Sequence, residues 1–183
     1  KFNNKNYAYS GGLHGVGASV VNALSEWVTV DVFRDYSHYH IRFESYEDRK
    51  TGKIVSGHAV APLEKVGNTR KRGTQVCFKP DARMFEDTHF QTDLVRRRVR
   101  ELAYLNRGVK FVFTDERAKD PDKREFVYCY EGGMADFVQY QNTDKTTITE
   151  PILFEASRDG LLVRVAIQYT DSYTENIYSF VNN

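Results

Sequence analysis

Polar and apolar residues alternate along most of the chain, and short turns separate the alternating runs. Alternation with a period of two is typical of strands that bury one face. In 27–34 and 38–44 the apolar positions are β-branched or aromatic, and the segment between them predicts a turn, so this part forms a hairpin. Further strands are predicted at 54–63, 73–81, 109–114, 126–130, 152–156 and 161–169.

A helical period appears in three places. One begins directly after a cluster of glycines, and a short one is predicted at 134–141 after Gly132-Gly133. The longest lies within 85–106, where Thr92 or Asp93 can cap the start and Gly108 ends the helix. Its apolar residues predict a buried face made of Leu94, Val95, Val99, Leu102 and Leu105.

The glycine cluster at Gly11, Gly12, Gly15 and Gly17 precedes an apolar helical run that continues to Leu24. Glycine lets the backbone approach a ligand closely, and the first N–H groups of a helix lack partners within the helix. Such a segment suits a phosphate group. It is neither a Walker A loop nor the dinucleotide fingerprint. The alternative is an ordinary glycine-rich turn that caps a buried helix.

Composition and net charge limit the kinds of protein that the chain can be. The 183 residues are 40% hydrophobic, enough for a real core, and the formal net charge is +1. Contact with DNA would therefore need a local basic patch. The predicted long helix carries such a run, but a solvated face is favoured there over DNA contact; its basic residues are Arg96, Arg97, Arg98 and Arg100.

The remaining chemical candidates are weak. Cys77 and Cys129 lie in separate predicted strands and are expected to be reduced. His38 and His40 share one strand face without an evident third ligand, so a polar face is favoured over a metal site. No apolar run approaches the ~20 residues that span a bilayer. Because the first residue is Lys1 rather than Met, we expect the sequence to start within a longer protein.

The stretch SGGLHGVGASVVNALS at 10–25 closely resembles the glycine box of bacterial type II topoisomerase ATPase subunits. These are DNA gyrase B and its topoisomerase IV counterpart, within the GHKL ATPases. The segments RELAYLNRGV at 100–109 and YEGGMADFVQYQN at 130–142 resemble the same proteins.

The resemblance implies an α+β fold. It would be a GHKL-type two-layer α/β sandwich, with a mixed, mostly antiparallel sheet and helices on one face. Residues 1–150 would be the C-terminal part of the ATPase domain, including its lid, glycine box and sheet. Residues 151–183 would begin an α+β transducer domain, with the boundary near Glu150.

The same resemblance implies an ATP site. Lys1 would lie near the terminal phosphates and Tyr7 against the adenine, while backbone amides of the glycine box hold the phosphates. His14 would contribute its amide rather than act as a base. Thr74 would join the hydrogen bonds at the adenine amino group, and Val76 would line the adenine pocket. The implied ATP-binding residues are Lys1, Tyr7, Gly11, Gly12, Leu13, His14, Gly15, Val16, Gly17, Thr74 and Val76.

Catalytic residues of the family are not expected within this sequence. The glutamate that activates water, the asparagine that holds Mg²⁺ and the aspartate that contacts adenine lie upstream of Lys1 in the family. The lysine-bearing loop of the transducer lies downstream of Asn183. ATP and Mg²⁺ are thus the implied cofactors, with no catalytic residue and no metal ligand here. We expect these 183 residues alone not to hydrolyse ATP.

The implied function is that of an ATP-operated clamp in a type II DNA topoisomerase. In the family, ATP binding dimerises two such chains around DNA, and an A-type subunit of gyrase or topoisomerase IV cleaves it. The implied location is the cytoplasm, without a membrane partner. Two alternatives stay open: another GHKL ATPase of the MutL or chaperone kind, and a non-catalytic interaction module of the same fold. The sequence does not separate gyrase from topoisomerase IV.

Overall fold

The computed structural model describes residues 16–180. They divide into two compact units, one up to His89 and the other from Phe90 onward, each of which is described by itself. Both combine short helices with antiparallel strands, so the predicted α+β class is confirmed. Over the described residues, no helix is long and apolar enough to cross a membrane.

The first unit is a short helix followed by an antiparallel sheet. Strand β1 is central, with β2 on one side and β5 on the other, while β3 and β4 both pair with β2. The elements are α1 (Gly17–Ala23), β1 (Ser25–Arg34), β2 (Ser37–Glu47), β3 (Ile54–Ala59), β4 (Glu64–Asn68) and β5 (Gly73–Pro80).

The β1–β2 hairpin turns through Asp35 and Tyr36, which both have positive φ, at 52° and 57°. Two such residues make the tight turn whose twist matches that of paired strands. The predicted strand at 54–63 is wrong in its extent, since two strands occupy 54–68. Pro62 lies between them and cannot donate to a ladder. The two strands therefore pair with different halves of β2.

The alternation of β1 separates an apolar from a polar face. Val28, Val30 and Val32 share the apolar face, and Val28 is buried. On the polar face, Asp31 Oδ1 accepts hydrogen bonds from His38 Nε2 at 2.7 Å and His40 Nδ1 at 2.9 Å. These bonds lower the pKa of Asp31. The histidine pair is thus half-buried and bonded to a carboxylate rather than fully exposed.

The second unit has an aromatic core. Ala103, Tyr104, Tyr128 and Phe137 are buried, and the ring of Tyr104 stacks on Tyr130 at 3.7 Å between centroids. Burial raises the pKa of Tyr104. The elements are α2 (Thr92–Leu105), β6 (Phe111–Thr114), a single 3-10 turn (Pro121–Lys123), β7 (Glu125–Tyr128), α3 (Met134–Gln141), β8 (Ile152–Arg158) and β9 (Leu161–Ile167).

Helix α2 departs from the predicted pattern at its start. Leu94, expected on the buried face, is 54% exposed, because the helix packs mainly through its C-terminal half around Ala103. The cap position is Gln91, without a side-chain capping bond. The Thr92 hydroxyl instead donates to the carboxylate of Asp115. Gly108 follows the helix with φ of +74°, as predicted.

The β8–β9 hairpin confirms the predicted turn, with Asp159 and Gly160 both at positive φ. Apolar residues on both of its faces are exposed, among them Phe154 on one face and Leu153 on the other. The chain after β9 returns to α3, where the Phe180 ring meets Phe137 edge-on at 5.8 Å between centroids. The segment that follows β9 therefore packs against helix α3.

A substitution at Gly57 tests the packing of α1 against β3. Gly57 has φ of +63°, and an added Cβ would lie 2.9 Å from Asn22 Nδ2. We expect Gly57→Ala to lower the free energy of unfolding by about 1–3 kcal/mol, through strain and this contact. Gly67→Ala in β4 is the control, because open space surrounds that position and its φ is not positive. Equal losses in urea unfolding of both variants would contradict the account.

Candidate functional site

The predicted glycine segment lies mostly outside the described residues. Seven of the expected site residues are there, so their roles remain predictions: Lys1, Tyr7, Gly11, Gly12, Leu13, His14 and Gly15. The described part begins at Val16, which is the N-cap position of α1, and Gly17 is the first residue of that helix. The prediction that the glycines lead directly into a helix is thus confirmed for Gly17, the one of the four glycines that the structure describes.

Helix α1 presents apolar side chains that the described residues leave exposed. Val16, Val20, Val21 and Leu24 belong to this set. The backbone of the helix is regular at both ends, since Val20 N donates to Val16 O and Leu24 N donates to Val20 O. An exposed apolar stripe beside a glycine segment suits a surface that another group covers.

Thr74 and Val76 lie on the apolar face of the sheet. They are two residues apart on β5 and pair with Val32 and Val30 of β1. Both are exposed, and Val76 keeps 58% of its surface. Their neighbour Val28 is buried, so the face is covered at one end and open at the other. A hydroxyl and an apolar side chain thus stand together, accessible to a ligand, on a rigid strand.

The C-terminal end of α1 is tied to the sheet by a polar network that sequence reasoning missed. We call this network the α1 anchor and define it as Leu24, Ser25, Ser45, Asp81 and Arg83. Asp81 N donates to Leu24 O at 3.0 Å, and the Ser25 hydroxyl donates to Val21 O at 2.6 Å. The Ser45 hydroxyl in turn donates to Ser25 O at 2.7 Å.

Asp81 is the centre of the α1 anchor. Its carboxylate is 1% exposed and accepts hydrogen bonds from Arg83, with Nε to Oδ1 at 2.8 Å. Arg83 Nη2 also donates to Ser45 O at 3.1 Å. The bonds from Arg83 lower the pKa of Asp81, although burial opposes this shift. The pair therefore joins the residue after β5 to the end of β2 and to the end of α1.

The spacing Asp-x-Arg after a strand gave no signal of this role. Short-range pairs of this kind are common at turns, where an aspartate bonds to backbone N–H groups two residues on. Here Arg83 N does donate to Asp81 Oδ1, at 2.9 Å. Only the burial of the pair, and its contacts with residues far away in sequence, separate it from an ordinary turn.

The described part of the site offers groups that suit ligand binding. Among the residues that the structure describes, no group of three or more His, Cys, Asp or Glu side chains is placed to hold a metal ion. The described site consists of an apolar sheet face, an accessible hydroxyl and the start of a helix. These groups can recognise a flat apolar ring that carries polar edges.

Comparison with known proteins identifies the family. The chain is 47% identical over its whole length to the type 2 topoisomerase B subunit of Aquifex aeolicus, and 46% identical to the DNA topoisomerase 4 B subunit of Enterococcus faecalis. The family model for DNA gyrase B matches residues 133–183. The chain belongs to the B-subunit family of type II topoisomerases. It covers 21% and 25% of these two relatives, about a quarter of their length or less.

The solved structures agree with this assignment. The chain is similar to the 43K ATPase domain of Thermus thermophilus gyrase B in complex with an aminocoumarin, with a TM-score of 0.72 and 36% identity. The match covers 88% of this chain and 41% of that chain. It confirms the GHKL-type fold. These relatives favour the topoisomerase branch over the MutL-like or chaperone-like alternative, while gyrase and topoisomerase IV are both represented among them.

The α1 anchor makes a prediction about pH. Because the folded-state pKa of Asp81 lies below its ordinary value of 3.8, its contribution to stability is complete above that value. The contribution is lost as the pH falls through the lowered pKa. At neutral pH we expect Asp81→Asn to lower the free energy of unfolding by about 2 kcal/mol, since a charged hydrogen-bond acceptor is lost.

Urea unfolding over a pH series checks this prediction. The difference between wild type and Asp81→Asn should shrink below the ordinary aspartate pKa. Asp35→Asn is the matched control, because Asp35 is exposed and, among residues 16–180, its carboxylate pairs with the similarly exposed Arg34 alone. A difference that stays constant into acid, or an equal loss in the control, would show that the Asp81 carboxylate does not act as described.

Proposed function

We propose that this chain is part of the ATP-binding region of a type II topoisomerase B subunit. The observation that carries the proposal is the likeness to a gyrase B ATPase domain, at 36% identity and a TM-score of 0.72. Two topoisomerase relatives at 46–47% identity over the whole chain support it. The activity proposed is ATP binding that closes a clamp, coupled to DNA strand passage.

In the proposed site, the glycine segment binds the phosphates and the sheet binds the adenine. Backbone amides from Gly11 to Gly17 would hold the phosphates near the start of α1, where unpaired N–H groups are available. Thr74 would bond to the adenine edge, and Val76 would pack on its face. Their exposure on one face of β5 supports these roles.

The lid is proposed to supply the remaining contacts. Lys1 would neutralise charge on the terminal phosphates, and Tyr7 would pack against the adenine, with Leu13, His14 and Val16 around the nucleotide. The described residues do not offer a ligand set for Mg²⁺, so no step is assigned to the metal here. The general base for hydrolysis is likewise proposed to lie outside this sequence.

The α1 anchor connects the helix of the proposed site to the strand of the proposed site. α1 ends at the point where Asp81 follows β5, and β5 carries Thr74 and Val76. A shift of the helix would therefore strain the end of the strand that contacts adenine. Because the helix begins at the phosphate-binding segment, the anchor would hold that segment in a fixed position relative to the strand that carries Thr74 and Val76.

The larger assembly is proposed from the relatives. The clamp would dimerise when ATP binds, enclose DNA, and act with an A-type subunit of gyrase or topoisomerase IV in the cytoplasm. Residues 1–150 are proposed to belong to the ATPase domain and 151–183 to the start of the transducer domain. The exposed apolar residues of the β8–β9 hairpin support the second assignment, because an isolated two-stranded hairpin is marginally stable.

Binding of a non-hydrolysable ATP analogue tests the adenine contact. We expect Thr74→Val in the full-length protein to weaken binding about tenfold, since a hydrogen bond is worth up to about 1.5 kcal/mol. Thr114→Val is the control, because that exposed strand threonine lies in the second unit. Calorimetric dissociation constants decide the outcome. Equal affinities for Thr74→Val and wild type would remove Thr74 from the site, and a wild type that binds no nucleotide would overturn the proposed function.

A further inference from the structure

The second unit contains a groove between α2 and α3, and none of the predicted ATP-site residues lines it. Its volume is about 370 Å³. Its residues come from one face of α2 and from α3, and they combine arginines with aromatic rings. We call it the α2–α3 groove and define it by Arg96, Arg97, Arg100, Tyr104, Phe137 and Tyr140.

The basic run of α2 is not a uniform solvated face. Two of its four arginines are neutralised by acids one turn away on the same helix. Arg96 Nη2 lies 3.0 Å from Asp93 Oδ1, and Arg98 Nη1 lies 2.9 Å from Glu101 Oε2. The guanidinium of Arg96 also lies over the ring of Phe126, 4.7 Å from its centroid. Arg96 is therefore partly packed against a ring, while the exposed ion pair of Arg98 is consistent with the predicted solvated face.

Arg100 carries a charge that is half-buried without an acidic partner among residues 16–180. Its Nη1 donates to Tyr140 Oη at 2.6 Å, and its guanidinium lies over the rings of Tyr128 and Tyr140 at 5.1 and 4.9 Å. Its Nε is buried without a hydrogen-bond partner in the described structure. Ring faces compensate such a charge only in part, and buried arginines are nearly always paired. An anion would supply the counter-charge that the described residues do not.

Arg97 lines the same groove three residues before Arg100, so the two side chains are neighbours on the helix surface. It is exposed, and within the described part of the chain it makes no ion pair or side-chain hydrogen bond. Asp93 and Glu101 line the groove too, but each is already paired with another arginine. Two guanidinium groups are thus available to one ligand.

We propose that the α2–α3 groove binds phosphate groups through Arg97 and Arg100. Planar guanidinium forks match phosphate oxygens, and the adjacent rings exclude water, which strengthens the attraction. Two positive charges balance one phosphate dianion or two successive phosphodiesters. The phosphate could come from a DNA backbone or from free phosphate. This site is additional to the proposed ATP site and does not depend on it.

The experiment replaces Arg97 and leaves the aromatic core intact. Arg97→Gln removes the charge, and Arg97→Lys keeps it without the planar fork. Arg124→Gln is the matched control, because Arg124 is an exposed arginine in the same unit outside the groove. Circular dichroism of each variant checks that the fold is retained.

Two probes distinguish the source of the phosphate. The first is a fluorescein-labelled DNA duplex of mixed sequence, titrated by anisotropy over a series of salt concentrations. We expect Arg97→Gln to weaken binding about tenfold and to reduce the magnitude of the negative slope of log K against log salt by about 0.9, as for one lost phosphate contact. Arg97→Lys should keep most of the slope and lose part of the affinity, while Arg124→Gln should match wild type.

The second probe is inorganic phosphate in a thermal-unfolding series at constant ionic strength. If the groove binds free phosphate, the rise in Tm for wild type should be absent in Arg97→Gln and kept in Arg124→Gln. A loss of binding in Arg97→Gln but not in Arg124→Gln, in either series, supports the proposal. The series in which the loss occurs identifies the source of the phosphate. Equal behaviour of Arg97→Gln and Arg124→Gln in both series overturns it, as does a wild type that binds neither probe.

Discussion

The pairing of β1 on both of its edges is the constraint on which the first unit depends. The strand is hydrogen-bonded to β2, to which a tight two-residue turn connects it, and to β5 over seven positions of continuous register, with a shift in register between Ser25 and Trp27. Register in a sheet decides which face each side chain occupies, since a slip by one residue would invert every position. Thr74 and Val76 share a face with Val28, Val30 and Val32 for this reason, and Asp31 meets His38 and His40 on the other.

The α1 anchor extends this constraint from the sheet to the helix. A seven-residue helix is too short to be stable on its own, so it must be held by tertiary contacts. Its hydrogen bonds to the sheet, from Asn22 to Gly57 and from Asp81 to Leu24, lie at its C-terminal end. The N-terminal end, which follows the glycines, keeps its apolar side chains exposed. A helix fixed at one end and open at the other suits a segment that receives a ligand.

The second unit is held together by a core of aromatic side chains. Its strands form two separate two-stranded sheets, and the core is a cluster of rings around Tyr104 and Phe137. Large rings bury much area per residue, and the hydroxyl of a tyrosine needs a polar partner. The Tyr140 hydroxyl accepts a hydrogen bond from Arg100, so a guanidinium group lies beside the core. The charge of the groove thus follows from how the unit is packed.

The sequence alone determined the element types, because the periods of two and of 3.6 residues directly reflect which side chains face the core. It also determined the family, since the glycine box and the segments at 100–109 and 130–142 are specific in their letters. It misplaced the buried face of α2 at Leu94, extended β3 to Leu63 and missed β4, because packing partners and ladder ends are not local properties. The α1 anchor and the two unpaired arginines were decided only by the tertiary structure. The contacts that define them join residues far apart in sequence, as with Ser45 and Ser25, Asp81 and Leu24, or Arg100 and Tyr140, and only the folded chain brings these residues together.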